Sequence, residues 1–219
     1  MIDSAQENLW RFEPRPDGLV SVSLDNNIWD WLFVHRNILR LAEELPCTRF
    51  ALVIPREVEI EHLAIPTDEC EKLEKRDFIA ETIRSCGIRT IGYFGFAAPP
   101  GVVNRYLGFN HGTWMSILER ARTDAMRHFL ESKTRPTGLA GNQTDLRLAV
   151  LSFSSVVLTR DNEPGPLQFA RERGGKVLLV DDGHALSSCL AAAILDTLGP
   201  ATVSAGASSC AGDSGGVSE

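Results

Sequence analysis

Residues 142–161, NQTDLRLAVLSFSSVVLTRD, switch hydrophobic period within one short stretch, and that switch restricts the fold more than any other feature of the chain. Leu146, Ala149, Val150 and Phe153 recur at the three-and-four spacing of one helix face. Val156, Val157 and Leu158 then form a continuous apolar run, the pattern of a strand buried on both sides. A helix that feeds directly into such a strand is one half of an α/β unit. Two acids bracket it. Asp145 falls in the first helical turn, where the backbone dipole favours an anion, and Asp161 falls just past the strand's carboxyl end.

The same alternation recurs along the chain. Residues 19–24 (LVSVSL) read as a strand followed directly by Asp25, and residues 28–45 as one helix ending near Pro46, with Ile28, Leu32, Ile38, Leu41 and Leu45 inward. A second strand at 50–54 meets Pro55, suited to the first turn of a helix that carries Glu57 and Glu61 on one side. After Pro66 a further helix turns Leu73, Ile79 and Ile83 inward and stops at Gly87. Residues 88–141 are read as irregular apart from a charged helix at 114–132. After the 142–161 stretch come a helix at 164–173, a strand at 176–180 (KVLLV) and a helix at 184–198. The expected class is α/β: a three-layer α/β/α domain with a mainly parallel central sheet and a helical or irregular insertion. In domain terms, 1–18 is an N-terminal extension, 19–199 a single domain with the insertion at about 66–140, and 200–219 a disordered Ser/Gly/Ala tail.

Composition narrows the function. The net charge of −7 over 219 residues gives the surface no general attraction for a polyanion, so any nucleic-acid site must rest on local cations. Five cysteines at wide, unpaired spacings argue for reduced thiols and a cytoplasmic setting. No apolar run approaches the ~18 residues of a membrane span, and no signal pattern opens the chain. The chain has no HExxH, Walker lysine loop or GxGxxG after a strand, and its GxSxG match, GDSGG at 212–216, falls in the Ser/Gly/Ala tail rather than after a strand pattern.

What remains is a set of carboxylates. Asp25 and Asp161 end strands, and Glu61 and Asp145 sit on helices that flank them. In an open α/β sheet the site lies outside the carboxyl ends of the strands, so these acids converge on one crevice. Several carboxylates there repel one another unless a cation joins them. Mg²⁺ or Mn²⁺ takes hard oxygen ligands, and ions of this kind support phosphodiester hydrolysis. Taken singly, each acid is also what a helix cap or solvated turn would use. Asp182 is read as a helix N-cap before His184, with a peripheral ligand role as the other option, and the five histidines as surface or capping residues.

In order and spacing, LVSVSLDNNIWDWLF, VIPREVEIEHL, NQTDLRLAVLS and VVLTRDNEPGPLQFARERGGKVLLV resemble the PIN-domain family of metal-dependent ribonucleases over about 20–64 and 141–180. The resemblance implies a PIN-like fold and a catalytic, metal-holding quartet of Asp25, Glu61, Asp145 and Asp161, with Glu57 the other helical candidate. Asn27 and Thr159 fall at supporting positions. It further implies Mg²⁺ or Mn²⁺ as cofactor, RNA as substrate and, by analogy with the toxins of toxin–antitoxin pairs, a homodimer with an antitoxin-like protein inhibitor. Around the acids, Arg160, Arg147 and Arg105 are the expected substrate contacts, and the aromatics of 93–114 either stack bases or fill a small satellite core. The alternatives are a non-catalytic binding module and a DNA-directed nuclease of related fold.

Overall fold

The computed structural model describes residues 8–93, 112–187 and 189–199. Its centre is a parallel sheet of β1 (Val20–Leu24), β2 (Phe50–Pro55), β3 (Arg89–Tyr93), β5 (Val156–Thr159) and β6 (Val177–Leu179), extended at one edge by the two-residue β4 (Gly112–Thr113). The order is β4-β3-β2-β1-β5-β6, and every pairing is parallel. Parallel neighbours need crossovers, and the helices that supply them cover both faces. The result is a three-layer α/β/α fold.

Each face buries its own core because alternate strand residues point to opposite sides. Val22, Leu24, Leu52, Ile54, Val156 and Leu158 join Trp29, Trp31 and Leu32 of α1 (Asn26–Val34) on one side. Ile79 of α4 (Cys70–Ser85) and Leu190 and Ile194 of α9 (Leu190–Leu198) complete that cluster. On the other side Val157 and Val177 pack with Leu146, Ala149, Val150 and Phe153 from α6 (Gln143–Leu151) and its C-terminal end, and with Leu167 and Ala170 of α7 (Pro166–Glu172). The N-terminal segment is strapped to this second core. Trp10 stacks near Phe153 and Phe169 at 5.3 and 5.8 Å. The fully buried Arg122, on α5 (Ile117–Met126), donates to the carbonyls of Leu9 and Arg11 at 2.6 and 2.9 Å.

Several expectations are corrected. The helix read at 28–45 is two: α1 ends at Val34 and α2 (Leu41–Glu44) starts after a turn, which leaves Ile38 59% exposed rather than inward. No glycine or proline marks the break, but His35 caps α1, its Nδ1 and backbone N both meeting the Trp31 carbonyl. Leu73 is 42% exposed, whereas Ile79 is buried as expected. The segment after Gly87 is not irregular at its start, because β3 pairs in register with β2. The last helix is likewise split into α8 (Asp182–Leu186) and α9, and the cap before His184 is Asp181, one residue earlier than expected. The aromatics Phe94, Phe96, Tyr106 and Phe109 lie outside the described residues.

Candidate active site

The sheet reverses direction at β1. From it the chain goes outward to β2 and β3, while β5 and β6 lie on its other flank, so the β1–β5 boundary is the point where the crossovers diverge. In open sheets of this kind a site lies outside the carboxyl ends of the strands at such a switch point. Asp25 follows β1 directly and Asp161 lies two residues past β5.

Asp25 is 4% exposed and caps α1, accepting from the Asn26 backbone N at 2.6 Å. Its second oxygen accepts from the Thr159 hydroxyl at 2.6 Å. The Thr159 oxygen in turn accepts from the Asp161 backbone N at 2.9 Å and from Asn27 Nδ2 at 3.2 Å. Asn27 closes the circuit by accepting from the Arg160 backbone N at 2.9 Å. Strand ends β1 and β5 are thereby tied through side chains as well as through their ladder, which fixes the Asp25 carboxylate and the backbone at Asp161, whose carboxylate accepts from Glu163 N at 2.8 Å.

The other two acids approach from helices. Asp145 stands in the first turn of α6, and Glu61 projects from α3 (Arg56–Leu63). Three of these acids are shifted, each by burial first. Burial pushes Asp25 up to about 6; the Thr159 bond opposes that rise, while Asp145 and Asp161 add to it. Asp145 is also raised, by burial first and then by Asp161. Glu61 is raised by burial, with Arg135 opposing and Asp145 adding to the shift. Three carboxyls held above their ordinary values in one crevice are the pattern expected where like charges are gathered for a purpose. One of the Glu57 carboxylate oxygens is buried without a hydrogen-bond partner. Of the two helical candidates, Glu61 is the one that faces Asp145.

Arg135 is the residue the sequence reading missed. It sits on a hairpin leading into α6 and pairs with Glu61, Nη1 to Oε1, at 2.7 Å. The hairpin is built around the turn Arg-Pro-Thr-Gly, closed by Gly138 N donating to the Arg135 carbonyl at 2.9 Å, with Gly138 at φ 84°. A Pro and a Gly at that spacing announce a turn, but nothing in the sequence says that it overhangs Glu61.

The remaining expected cations distribute unevenly. Arg160 lies exposed at the mouth and reaches Asp182 at 3.6 Å. Arg147 is buried, 6% exposed, on α6 rather than open to the crevice. Arg105 lies outside the described residues. His62, next to Glu61, turns into the core against Trp29 at 5.0 Å, where burial lowers it to about 4 and keeps it neutral.

The donors in the crevice are all carboxylate, amide or hydroxyl oxygens, the set that suits Mg²⁺ or Mn²⁺ and not a thiophilic metal. Among the described residues no group of three or more His, Cys, Asp or Glu side chains is placed to hold a metal ion. Glu61 is engaged by Arg135 instead. Among the described residues no helix is long and apolar enough to cross a membrane. Comparison with protein-family models, with characterised proteins and with solved structures returns no match.

Proposed function

We propose that this chain is a divalent-metal-dependent endoribonuclease of PIN-like type, with Asp25, Glu61, Asp145 and Asp161 as its catalytic and metal-holding acids. One observation carries the reading: Asp145 and Asp161 both raise the buried Asp25, so acids from separate elements share one field at the switch point of the sheet. Structural ion pairs would instead lower an aspartate.

The chain's own groups divide the work. Thr159 and Asn27 hold Asp25 and the 160–161 backbone in fixed orientation. A carboxyl titrating near 6 accepts a proton at neutral pH more readily than an ordinary aspartate. Arg160 and Arg135, both exposed at the crevice, supply the local positive charge that a chain of net −7 otherwise lacks for a phosphodiester backbone. When bound, Mg²⁺ or Mn²⁺ would supply charge stabilisation at the phosphoryl oxygens and activation of water.

A cytoplasmic toxin role, a homodimer and an antitoxin-like inhibitor belong to the same proposal through the family resemblance. The pairing of Glu61 with Arg135 favours one second reading, a binding module that keeps the acids without turnover. Incubating the protein with labelled single-stranded RNA and Mn²⁺, with EDTA as control, distinguishes them. Cleavage that disappears in Asp25→Asn and in Asp161→Asn supports the nuclease; equal cleavage by both variants and the parent chain rejects it. A parallel DNA substrate decides between RNA- and DNA-directed activity.

A further inference from the structure

We infer that the chain carries a separate binding site for a small organic monocarboxylate, in a cavity at the amino ends of the strands, on the face of the sheet that α5 and α6 cover. Ser21 is the second residue of β1, Arg89 the first of β3, and Ser155 directly precedes β5. The cavity therefore lies at the opposite end of the strands from Asp25 and Asp161, and the inference does not depend on what those acids do.

The site begins with a departure in β1. A central strand of a parallel sheet, covered on both faces, ordinarily reads as a continuous apolar run. β1 reads Val-Ser-Val-Ser-Leu instead: Val22 and Leu24 enter one core, and Ser21 and Ser23 turn to the other face. In register, Ser23 lies beside Val53 of β2, and Val53 beside Arg89 of β3. A row of serine, valine and arginine thus crosses three strands on this face. A cavity of about 280 Å³ adjoins it, close to the ~300 Å³ at which small-molecule sites begin. Its apolar lining comes from Val53 and Ile91 of the sheet, Leu151 at the end of α6, and Pro14 and Pro16 of the N-terminal segment.

The polar groups that line the cavity divide into engaged and open ones. Arg15 is paired with Asp17, and Glu13 with the buried Arg122 at 3.5 Å. Glu119 closes the capping box of α5 with Ser116. By contrast, the Arg89 guanidinium and the Ser21 hydroxyl have no hydrogen-bond or ion-pair partner among the described residues. Ser155 is 2% exposed and accepts from the Ser23 hydroxyl at 2.9 Å, which leaves its own O–H without an acceptor among the described residues. A buried donor in that state costs stability unless a ligand or a water takes its hydrogen. The open groups are thus all donors: one guanidinium and two hydroxyls beside an apolar lining.

That combination selects the ligand. Donors without acceptors favour an anion, and a guanidinium meets a carboxylate through two parallel hydrogen bonds. Val53, Ile91 and Leu151 suit a short or flat apolar body behind that head. Glu13 and Glu119, which also line the cavity, disfavour a ligand with two or more negative charges.

The test uses benzoate as the probe and benzyl alcohol as its uncharged counterpart, in amide-resolved NMR titrations of the full chain. Benzoate is expected to shift the amides of Ser21, Arg89, Ser154 and Ser155 to saturation, and to leave those of Asp25, Thr159 and Asp161 in place. Arg89→Gln is expected to weaken benzoate about tenfold, the scale of one charged hydrogen bond, and to change benzyl alcohol less than about twofold. Ser21→Ala should weaken benzoate about threefold. No saturable shift by about 10 mM benzoate, or shifts centred away from the cavity, overturns the inference. Equal loss of both probes in Arg89→Gln, or loss of neither, overturns it as well, because the guanidinium would then not be reading the carboxylate. Should Arg89→Gln disturb β3, Ser21→Ala decides, and undiminished benzoate affinity in that variant counts against the site. None of these outcomes bears on the acids at the other end of the strands.

Discussion

The two halves of the crevice are made differently. Asp25 and Asp161 sit on strand ends joined by the β1–β5 ladder and by the chain Asn26–Asp25–Thr159–Asp161, with Asn27 bracing it from behind. Glu61 and Asp145 sit on helices, and Glu61 pairs with an arginine on a hairpin. Desolvation and short hydrogen bonds fix the first half, whereas a half-exposed ion pair governs the second. A site with one rigid wall and one exchangeable wall can keep its acids aligned while still admitting a cation. Substitutions in the first half should therefore alter chemistry and stability strongly, and those in the second should mainly alter affinity.

The largest expected effect is on activity in the rigid half. Asp25→Asn should lower Mn²⁺-dependent RNA cleavage by about 10³-fold, the scale of losing one electrostatic element of a catalytic centre. The same substitution should raise stability. Asp25 has its pKa raised from 3.8 to about 6, so the unfolded chain releases this proton at lower pH than the folded one does. Stability linked to this group is therefore full below about pH 4 and declines as pH rises through about 6. At neutral pH the penalty is about 3 kcal/mol as an upper bound. Denaturant melts at pH 4 and pH 7 should show the parent losing stability across that window without added metal, and Asp25→Asn losing less of it. Equal slopes in the two proteins would break the claim that the rigid wall is held at an energetic cost.

Next in size is Thr159→Val, which keeps the volume but removes the hydroxyl shared by Asp25, Asp161 and Asn27. It should cost about 2 kcal/mol, since buried acceptors and donors lose their partner. The Thr159 bond holds Asp25 down, so its removal should move the Asp25 titration further up. Carbon-detected NMR of the carboxyl reads this directly, and an unmoved midpoint would count against the circuit.

The contrast also explains what the sequence could reveal. Asp25 and Asp161 were legible because a carboxylate directly after an apolar run marks a strand end, and strand ends of a parallel sheet share one edge. Asp145 was legible from its place in a helical first turn. Choosing Glu61 over Glu57 needed the tertiary structure, since both lie on one side of α3 by spacing and Glu61 is the one that pairs with Arg135. Arg135 was invisible because a turn sequence states its own conformation and not what it overhangs. Arg147 reads as a surface cation by type, yet α6 packs against both α7 and the sheet and turns it inward. β3 escaped notice because RTIGY is short and flanked by glycines, and its register depends on β2. The break after Val34 was hidden for a related reason: the apolar spacing continues through residues 35–40 although the backbone does not.

The smallest expected effect lies in the exchangeable half. Glu61→Gln or Arg135→Gln should each change folding stability by less than about 1 kcal/mol, because the pair is half exposed on the arginine side. Melting curves in 0.1 M and 1 M salt should bring the parent closer to both variants as screening rises. A loss of several kcal/mol in either variant would mean that this wall is structural, and the division between the two halves would fail.

The most direct test is a crystal structure of the full chain grown with millimolar Mn²⁺, with anomalous scattering used to locate the metal. The account predicts an anomalous peak within ligand distance of Asp25 and Asp161. Absence of anomalous density near these acids would contradict it.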